Sequence, residues 1–246
     1  MRRHGRRVLG AIAGFVGVIR FLSAPDGAAV VEWGGLMLNV FLAIAGITLC
    51  FPLGLLLALG RRSKLPLFRW LCVVYIELFR GVPLFVLLLL AYYVVPLFIP
   101  SDTADPSVVV RAIVAITMFT AAYVAEIVRG GLQSLPKGQT EAAQALGLSS
   151  IKTMALIVLP QALRNVIPAL VGQFISLFKD TTLAAAAMPL LDVLQVSDAV
   201  TAQTAFEGQG LTAETLVFVM LLFWVGCITM SRESQRLERR LGVGTR

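Results

Sequence analysis

Long runs of apolar residues, separated by short polar segments, set the organisation of this chain. The first run extends from about Gly34 to Gly60, carries no charge, and is interrupted by polar groups only at Asn39 and Thr48. A helix rises about 1.5 Å per residue, so a run of this length crosses a hydrocarbon layer of about 30 Å. The pattern predicts a membrane-spanning helix.

Four further apolar blocks follow, at about 67–98, 108–128, 166–187 and 216–230. The second block contains Glu77 and Arg80 and is expected to kink at Pro83, because proline removes a helical hydrogen bond. The fifth can extend back to Thr212 and ends in an arginine-rich tail. The sequence therefore predicts an all-α membrane protein with five core transmembrane helices.

Charges in the connecting segments alternate along the chain and predict its orientation. Segments 101–107 and 189–214 contain acidic residues and no lysine or arginine, whereas segments 61–69 and 129–164 and the carboxyl-terminal tail are basic. Basic loops stay preferentially on the cytoplasmic side of a membrane. The first block is therefore expected to begin outside the cell.

The amino terminus allows three interpretations. Residues 8–22 are apolar but short for a span, contain Arg20, and follow an arginine-rich start. They could form an extra crossing, an interfacial helix, or the apolar region of a signal peptide, although no clear small-x-small cleavage site follows. We divide the chain into an extension (1–33), a membrane domain (34–232) and a cytoplasmic basic tail (233–246).

The composition is also that of a membrane protein, and it argues against a nucleic-acid partner and against a metal site made of cysteines. Hydrophobic residues make up 58% of the chain and charged residues 14%, and the mean hydropathy is +0.85. The net charge of +7 comes from residues clustered at the ends of apolar blocks, so no nucleic-acid partner is predicted. The three cysteines, Cys50, Cys72 and Cys227, lack metal-ligand spacing and are interpreted as small buried hydrophobes.

Catalytic and cofactor motifs are not evident in the sequence. It has no glycine-rich phosphate loop followed by Lys-Ser or Lys-Thr, and its only histidine is His4, near the terminus. No catalytic residue, cofactor or metal site is predicted. A membrane enzyme that uses carboxylates alone remains an alternative.

The segment 130–165 is too long to be a simple connection. It contains two pieces with helical periodicity, 140–146 and 149–159, with Gly147 between them. Glycine favours the left-handed residue that ends a helix, and Ser149 suits the start of the next one. We predict two helices across a tight turn, the second ended or bent at Pro160.

The same segment carries a spaced motif: Glu141-Ala142-Ala143, three residues, Gly147, nine residues, Ile157, one residue, Leu159-Pro160. It resembles the EAA loop of importer-type ABC transporter permeases. Further motifs resemble the polar amino acid (histidine/glutamine-type) branch of that family: ELFRGVP at 77–83, AAY and AEI within 121–127, RGG at 129–131, PKGQ at 136–139, LPQA at 159–162 and KDT at 179–181.

This resemblance implies the type I ABC importer permease fold and a loop that docks into a cleft of a separate ATPase. The residues that would make this coupling contact are Glu141, Ala142, Ala143, Leu146 and Gly147. The carboxylate can pair with a basic group, and small alanines allow close approach. Taken alone, Glu141 could instead be a residue of the first helical turn that is stabilised by the helix dipole.

Ionisable residues inside the predicted spans fall into two groups. Glu77, Arg80 and Glu126 lie towards the cytoplasmic side, where ion pairing and anchoring explain them, with Glu77 and Arg80 able to pair at i, i+3. Lys179 and Asp180 lie beyond the midpoint of the fourth block and could contact the carboxylate and ammonium of an amino acid. Gln173 and Ser176 could line that path; alternatively, Lys179 and Asp180 pair with another helix or subunit.

The resemblance implies partners as well as a location. One copy has only five or six spans, so a central pathway requires a second permease chain, identical or related. Two ABC ATPase subunits, an extracytoplasmic substrate-binding protein and membrane lipid complete the expected set, in a bacterial cytoplasmic (inner) membrane. Polar, basic and acidic amino acids and opines all fit as substrates. An ATP-independent membrane channel or scaffold is the alternative from another class.

Overall fold

The computed structural model describes residues 34–100, 106–206 and 209–242, and its regular elements are helices. In chain order they are α1 (Leu36–Gly60), α2 (Pro66–Gly81), α3 (Leu84–Tyr93), α4 (Val108–Gln133), α5 (Lys137–Ala145), α6 (Ser150–Thr153), α7 (Leu159–Ala187), α8 (Val193–Thr201) and α9 (Thr212–Leu241). The prediction of an all-α membrane protein is confirmed. The proposed extra helix within residues 1–33 lies outside the described residues.

Within the described ranges, four helices are long and apolar enough to cross a membrane, and the α2–α3 pair makes a fifth if it is counted as one interrupted span. The four are α1, α4, α9 and the continuous helix Ser150–Ala187, with mean hydropathy values between 1.6 and 2.5 over their best windows. These elements correspond to the five apolar blocks of the sequence. The helix α4 continues to Gln133, five residues beyond the predicted end.

The second block is broken rather than kinked. The helix α2 ends at Gly81, and α3 begins at Leu84 after Pro83, whose φ of −61° and ψ of 137° are those of an extended backbone. Proline also disfavours helical geometry in the residue that precedes it, here Val82. These two effects together explain an interruption where a bend was expected.

Of the two alternatives predicted at Pro160, a helix end and a bend, the helix end is wrong. The chain is helical from Ser150 to Ala187 without a break, because a π-helical turn, Met154–Val158, leads into α7. Proline at the second position of α7 lacks an amide hydrogen, and the Gln161 side chain donates a hydrogen bond to the Ile157 carbonyl at 2.9 Å. The wider turn and this side-chain bond let the helix continue through the proline.

The last span also continues beyond its predicted end. The helix α9 runs to Leu241, through the arginines that were assigned to a separate basic tail. An ion pair between Arg236 and Glu233 and a bond from Arg239 Nε to the Gln235 carbonyl lie on this extension. Its basic residues therefore prolong the helix rather than end it.

The described chain forms two compact units. The first unit contains residues 34–50, 82–119 and 177–224, with the gaps given above. Its buried polar centre is Asn39, whose Nδ2 donates to Thr181 Oγ1 at 3.0 Å and to Asp192 Oδ2 at 3.2 Å. The Asn39 Oδ1 accepts from the Val193 amide at 3.1 Å. Asn39, Thr181 and Asp192 are fully buried, so the polar interruption of the first apolar run has its hydrogen bonds satisfied inside the protein.

The second unit contains residues 51–81, 120–176 and 225–242. It includes the predicted coupling segment and the charged residues Glu77, Arg80 and Glu126. The helices α4 and α7 approach closely at Gly131, where a Cβ atom would lie 2.8 Å from the Ala162 carbonyl oxygen. A larger residue would push these helices apart, so this glycine fixes the helix spacing beside the predicted coupling segment.

Candidate functional site

A short capped helix, α5, forms the centre of the candidate coupling site. It ends in the hydrogen-bond pattern of a Schellman motif: the Gly147 amide donates to Gln144 O at 2.9 Å, and the Leu148 amide donates to Ala143 O at 3.1 Å. Gly147 has a φ of +80°, the left-handed conformation that the sequence predicted for it. The turn after α5 is therefore defined by a backbone conformation that only a few residue types adopt readily.

The next helix begins as the sequence indicated. Ser149 is the N-cap of α6, and its hydroxyl accepts from the Lys152 amide at 3.4 Å. Thr153 is buried and donates to the Leu148 carbonyl at 3.5 Å. Gln161 Nε2 also lies 3.4 Å from Gln139 Oε1, which links α7 to α5. These contacts tie the short helix to the long helix that follows it.

The two alanines of the motif have different surroundings. Ala142 is exposed together with Glu141, whereas Ala143 is 4% exposed. The sequence argument took the small size of both alanines to let the helix sit deep in a groove of a partner. The side chain of Ala143 packs inside this chain. Small size at Ala143 serves the packing of α5 on its own unit, and only Ala142 is available to a partner.

Two large apolar side chains extend the exposed side of this segment. Leu146 is 84% exposed and Ile151 is 82% exposed. Leucine and isoleucine lose favourable transfer free energy when they face water, so such exposure in a polar segment suits a contact with another protein. Leu146 belongs to the predicted coupling set, but Ile151 does not. Ile151 could have been found from the sequence, because it lies in the first turn of the helix that follows Gly147.

A cluster of charged residues occupies another part of the second unit. The Glu126 carboxylate lies 2.5 Å from Arg61 Nη1, 2.7 Å from Arg129 Nη2 and 3.9 Å from Arg80 Nη1. Arg80 also lies over the Tyr123 ring, 5.7 Å from its centroid. The Glu126 side chain is 15% exposed, so three cations surround one largely buried carboxylate.

The predicted i, i+3 pair of Glu77 with Arg80 is replaced by contacts to other residues. Glu77 Oε1 lies 3.2 Å from Arg61 Nη1, and Arg80 turns towards Glu126. Arg61, which touches both carboxylates, was missed by the sequence argument. The position of Arg61 directly after the first apolar run could have indicated its role. For Arg129, the indication was its i+3 spacing from Glu126.

The four residues proposed for the substrate path all lie in α7. Lys179 is exposed, and Asp180, Gln173 and Ser176 are partly buried. Among the described residues, neither Lys179 nor Asp180 has an oppositely charged group within 4 Å.

Comparison with known proteins places these features in a family context. Residues 50–243 match the family described as binding-protein-dependent transport system inner membrane component. An inner membrane amino-acid ABC transporter permease protein of Escherichia coli (strain K12) is 46% identical over 213 residues, which are 87% of this chain and 57% of that protein.

A glutamate/glutamine/aspartate/asparagine transport system permease protein of Rhodobacter capsulatus is 43% identical over 85% of this chain and 48% of its own length. The chain thus spans about half the length of these curated relatives. A crystal structure of an amino acid ABC transporter with histidines matches with a TM-score of 0.72 and 29% identity, over 89% of this chain and 98% of the matched chain.

Proposed function

Because the chain belongs to the family of binding-protein-dependent transport system inner membrane components, we propose that it is the permease subunit of an ATP-driven importer of amino acids. It is a multi-pass protein of the inner membrane, as its family and its apolar helices indicate. In this proposal, ATP hydrolysis takes place in a separate ATPase subunit. The observation that carries the proposal is the capped helix α5 with its exposed apolar side.

The coupling contact is assigned to Glu141, Ala142 and Leu146 on the exposed side of this segment. The Glu141 carboxylate would pair with a cation of the ATPase, and Leu146 would enter an apolar part of its cleft. Gly147 sets the direction in which the chain leaves this contact. The bonds between α5, α6 and α7 would then transmit a rigid-body movement of the docked segment to the membrane helices.

The substrate class rests on two kinds of support. The similar permeases named above are amino acid permeases by description. Lys179 and Asp180 also offer one cation and one anion that form no ion pair within 4 Å among the described residues, which suits the carboxylate and ammonium of an amino acid. Gln173 and Ser176, on the same helix, would add neutral hydrogen-bonding groups to the path.

The proposed assembly contains a second permease chain, two ATPases and an extracytoplasmic binding protein. Support for a further membrane contact comes from α9, where only 6% of the best 18-residue window is buried within the chain. Lipid and a second permease would share that apolar surface. Transport would proceed by alternating access, with ATP binding closing the cytoplasmic ends and hydrolysis resetting them.

Reconstitution tests the proposed function. Vesicles that contain the permease and its ATPase, with ATP on the ATPase side and the binding protein on the other, should accumulate a labelled amino acid against its gradient. Removing the ATPase or the binding protein should stop accumulation. Full-rate uptake without the ATPase would contradict the proposal and favour a channel. The labelled amino acid is chosen by measuring which one the purified binding protein retains.

Replacing Asp180 with asparagine should weaken binding of that amino acid to the purified permease–ATPase complex. Loss of one partly exposed charge contact is worth about 1 kcal/mol, so the Kd should rise about fivefold. Equilibrium binding of the labelled amino acid measures this change. Asp198→Asn makes the same charge change at an exposed position of α8 and should leave the Kd unaltered. An unchanged Kd for Asp180→Asn would remove this residue from the path.

A further inference from the structure

A strongly basic pocket lies in the second unit, and none of the residues proposed for the substrate path lines it. Its volume is about 680 Å³, and it is lined by residues of α2, α4 and α5 and of the segments that flank them. Five of the lining residues are cationic: Arg61, Arg62, Arg69, Arg129 and Lys137. In the described part of the chain, no aspartate or glutamate lines it. A pocket of this composition attracts anions.

Part of this positive charge is balanced within the protein and part is not. Arg61 and Arg129 form ion pairs with Glu126, as described above. Within the described ranges, Arg62, Arg69 and Lys137 have no carboxylate within 4 Å, and all three are exposed. Three cations that converge on one pocket can bind a phosphate, and the two guanidinium groups can do so with paired hydrogen bonds.

Exposed apolar side chains lie on the same helix as two residues that line the basic pocket. The first turns of α2 expose Leu67, Phe68, Trp70 and Leu71, and Trp70 is 59% exposed. Arg69 lies within this stretch, and Val73, one turn further on, lines the pocket. A ligand that satisfies both surfaces has an anionic head and an apolar tail.

The position of the pocket along the chain agrees with such a ligand. Arg61 and Arg62 follow directly after α1, where the first apolar span ends, and Pro66 begins the partly apolar α2. This order along the chain favours a pocket at the boundary between hydrocarbon and water, on the side that the basic loops assign to the cytoplasm. Tryptophan is enriched at this depth, and basic pockets on the cytoplasmic side bind anionic head groups.

We propose that this pocket binds the phosphate head group of an anionic phospholipid of the cytoplasmic leaflet. Arg62, Arg69 and Lys137 contact the phosphate, and the acyl chains lie along the apolar side chains of α2. An acidic segment of a partner protein would satisfy the cations but would leave Leu67, Phe68 and Trp70 without an apolar counterpart. The inference goes beyond transport and does not depend on which substrate is carried.

Trp70 provides a local probe of this binding. In a Trp33→Phe/Trp224→Phe background it is the only tryptophan, so quenching by phospholipids with brominated acyl chains reports their association near α2. The full-length chain is reconstituted in mixtures of phosphatidylglycerol and phosphatidylcholine, with one of the two brominated. Phosphatidylglycerol is expected to associate about tenfold more strongly than phosphatidylcholine, an effect that one charge-assisted contact can supply.

The variant Arg62→Gln/Arg69→Gln/Lys137→Gln should lose this preference. Its matched control, Arg232→Gln/Arg239→Gln/Arg240→Gln, removes the same charge from α9, outside the pocket, and should keep it. Equal quenching by the two lipids in the parent chain would overturn the proposal. So would an equal loss of the preference for phosphatidylglycerol in both triple variants. Inorganic phosphate that abolishes the preference would assign the site to free phosphate instead. A pocket variant that keeps the lipid preference but no longer binds the ATPase would identify a protein-docking site and would also overturn it.

Discussion

Replacement of Gly147 with valine should reduce ATP-driven uptake by at least about tenfold while the chain still inserts into the membrane. The φ of +80° is unfavourable for a β-branched residue by roughly 1–3 kcal/mol, so the turn that closes α5 must change its conformation. No described atom lies within 4 Å of a Cβ placed at this position, so the effect arises from the backbone and not from a clash. Uptake and hydrolysis measured together in proteoliposomes reveal it as hydrolysis without transport.

Two further variants isolate the cause of that loss. Gly138 also lies in α5 and has open space where a Cβ would stand, but its φ is not positive, so Gly138→Val should retain most of the uptake. Gly147→Asn should be nearly as active as the parent, because asparagine tolerates the left-handed conformation. Undiminished coupled uptake in Gly147→Val, or an equal loss in Gly138→Val, would exclude the assigned role of this turn.

Replacement of Glu126 with glutamine should cause the largest loss of stability in the charged cluster. The change keeps the shape of the side chain but removes the carboxylate that contacts Arg61, Arg80 and Arg129 together. Loss of one partner from a buried ion pair typically costs about 3–5 kcal/mol. Because these arginines are partly exposed to solvent, we expect a decrease of about 2–3 kcal/mol in the free energy of unfolding. Denaturant titration of the purified chain in mild detergent measures it.

Glu77→Gln is the matched control for this prediction. The Glu77 side chain is 56% exposed, and its ion pair in the described structure is with Arg61, so its replacement should cost less than about 1 kcal/mol. If the two variants lost the same free energy of unfolding, the contributions of the three ion contacts of Glu126 would not be additive. A stable Glu126→Gln chain would mean that this cluster serves a purpose other than stability.

The sequence was sufficient for features that depend on local composition. The apolar blocks locate the spans because each helix must be long and apolar enough for lipid regardless of what it packs against. The Gly147 turn and the Ser149 cap were also predictable, since their chemistry lies within a few residues of chain. The EAA-type spacing added the position of the proposed coupling segment.

Features that depend on contacts between distant residues could not be predicted in the same way. Arg61 and Glu126 are 65 positions apart, so periodicity could not pair them, and the nearer Glu77–Arg80 pair was favoured instead. Ala143 is buried and the neighbouring Ala142 is exposed because only one side of α5 packs against the rest of the second unit. The π-helical turn before Pro160 is rare, and the proline rule predicted a helix end or a bend there.

The basic pocket could not be predicted from the sequence for the same reason, because its residues are distant from one another along the chain. Its cations come from the segment after α1, from α2, from α4 and from the start of α5, which are spread along 77 positions from Arg61 to Lys137. In the sequence these residues were accounted for as orientation signals. Only their convergence in the folded chain indicates a binding site.

The exposure of Leu146 and Ile151 has a consequence for how the cell must produce this subunit. If the proposed ATPase covers these side chains, a copy synthesised without it presents both to the aqueous phase, where chaperones and proteases recognise accessible apolar residues. Unassembled copies should therefore be short-lived, and assembly would bury the signal for their removal. The same apolar contact would then serve quality control, by keeping the amounts of the two subunits in balance.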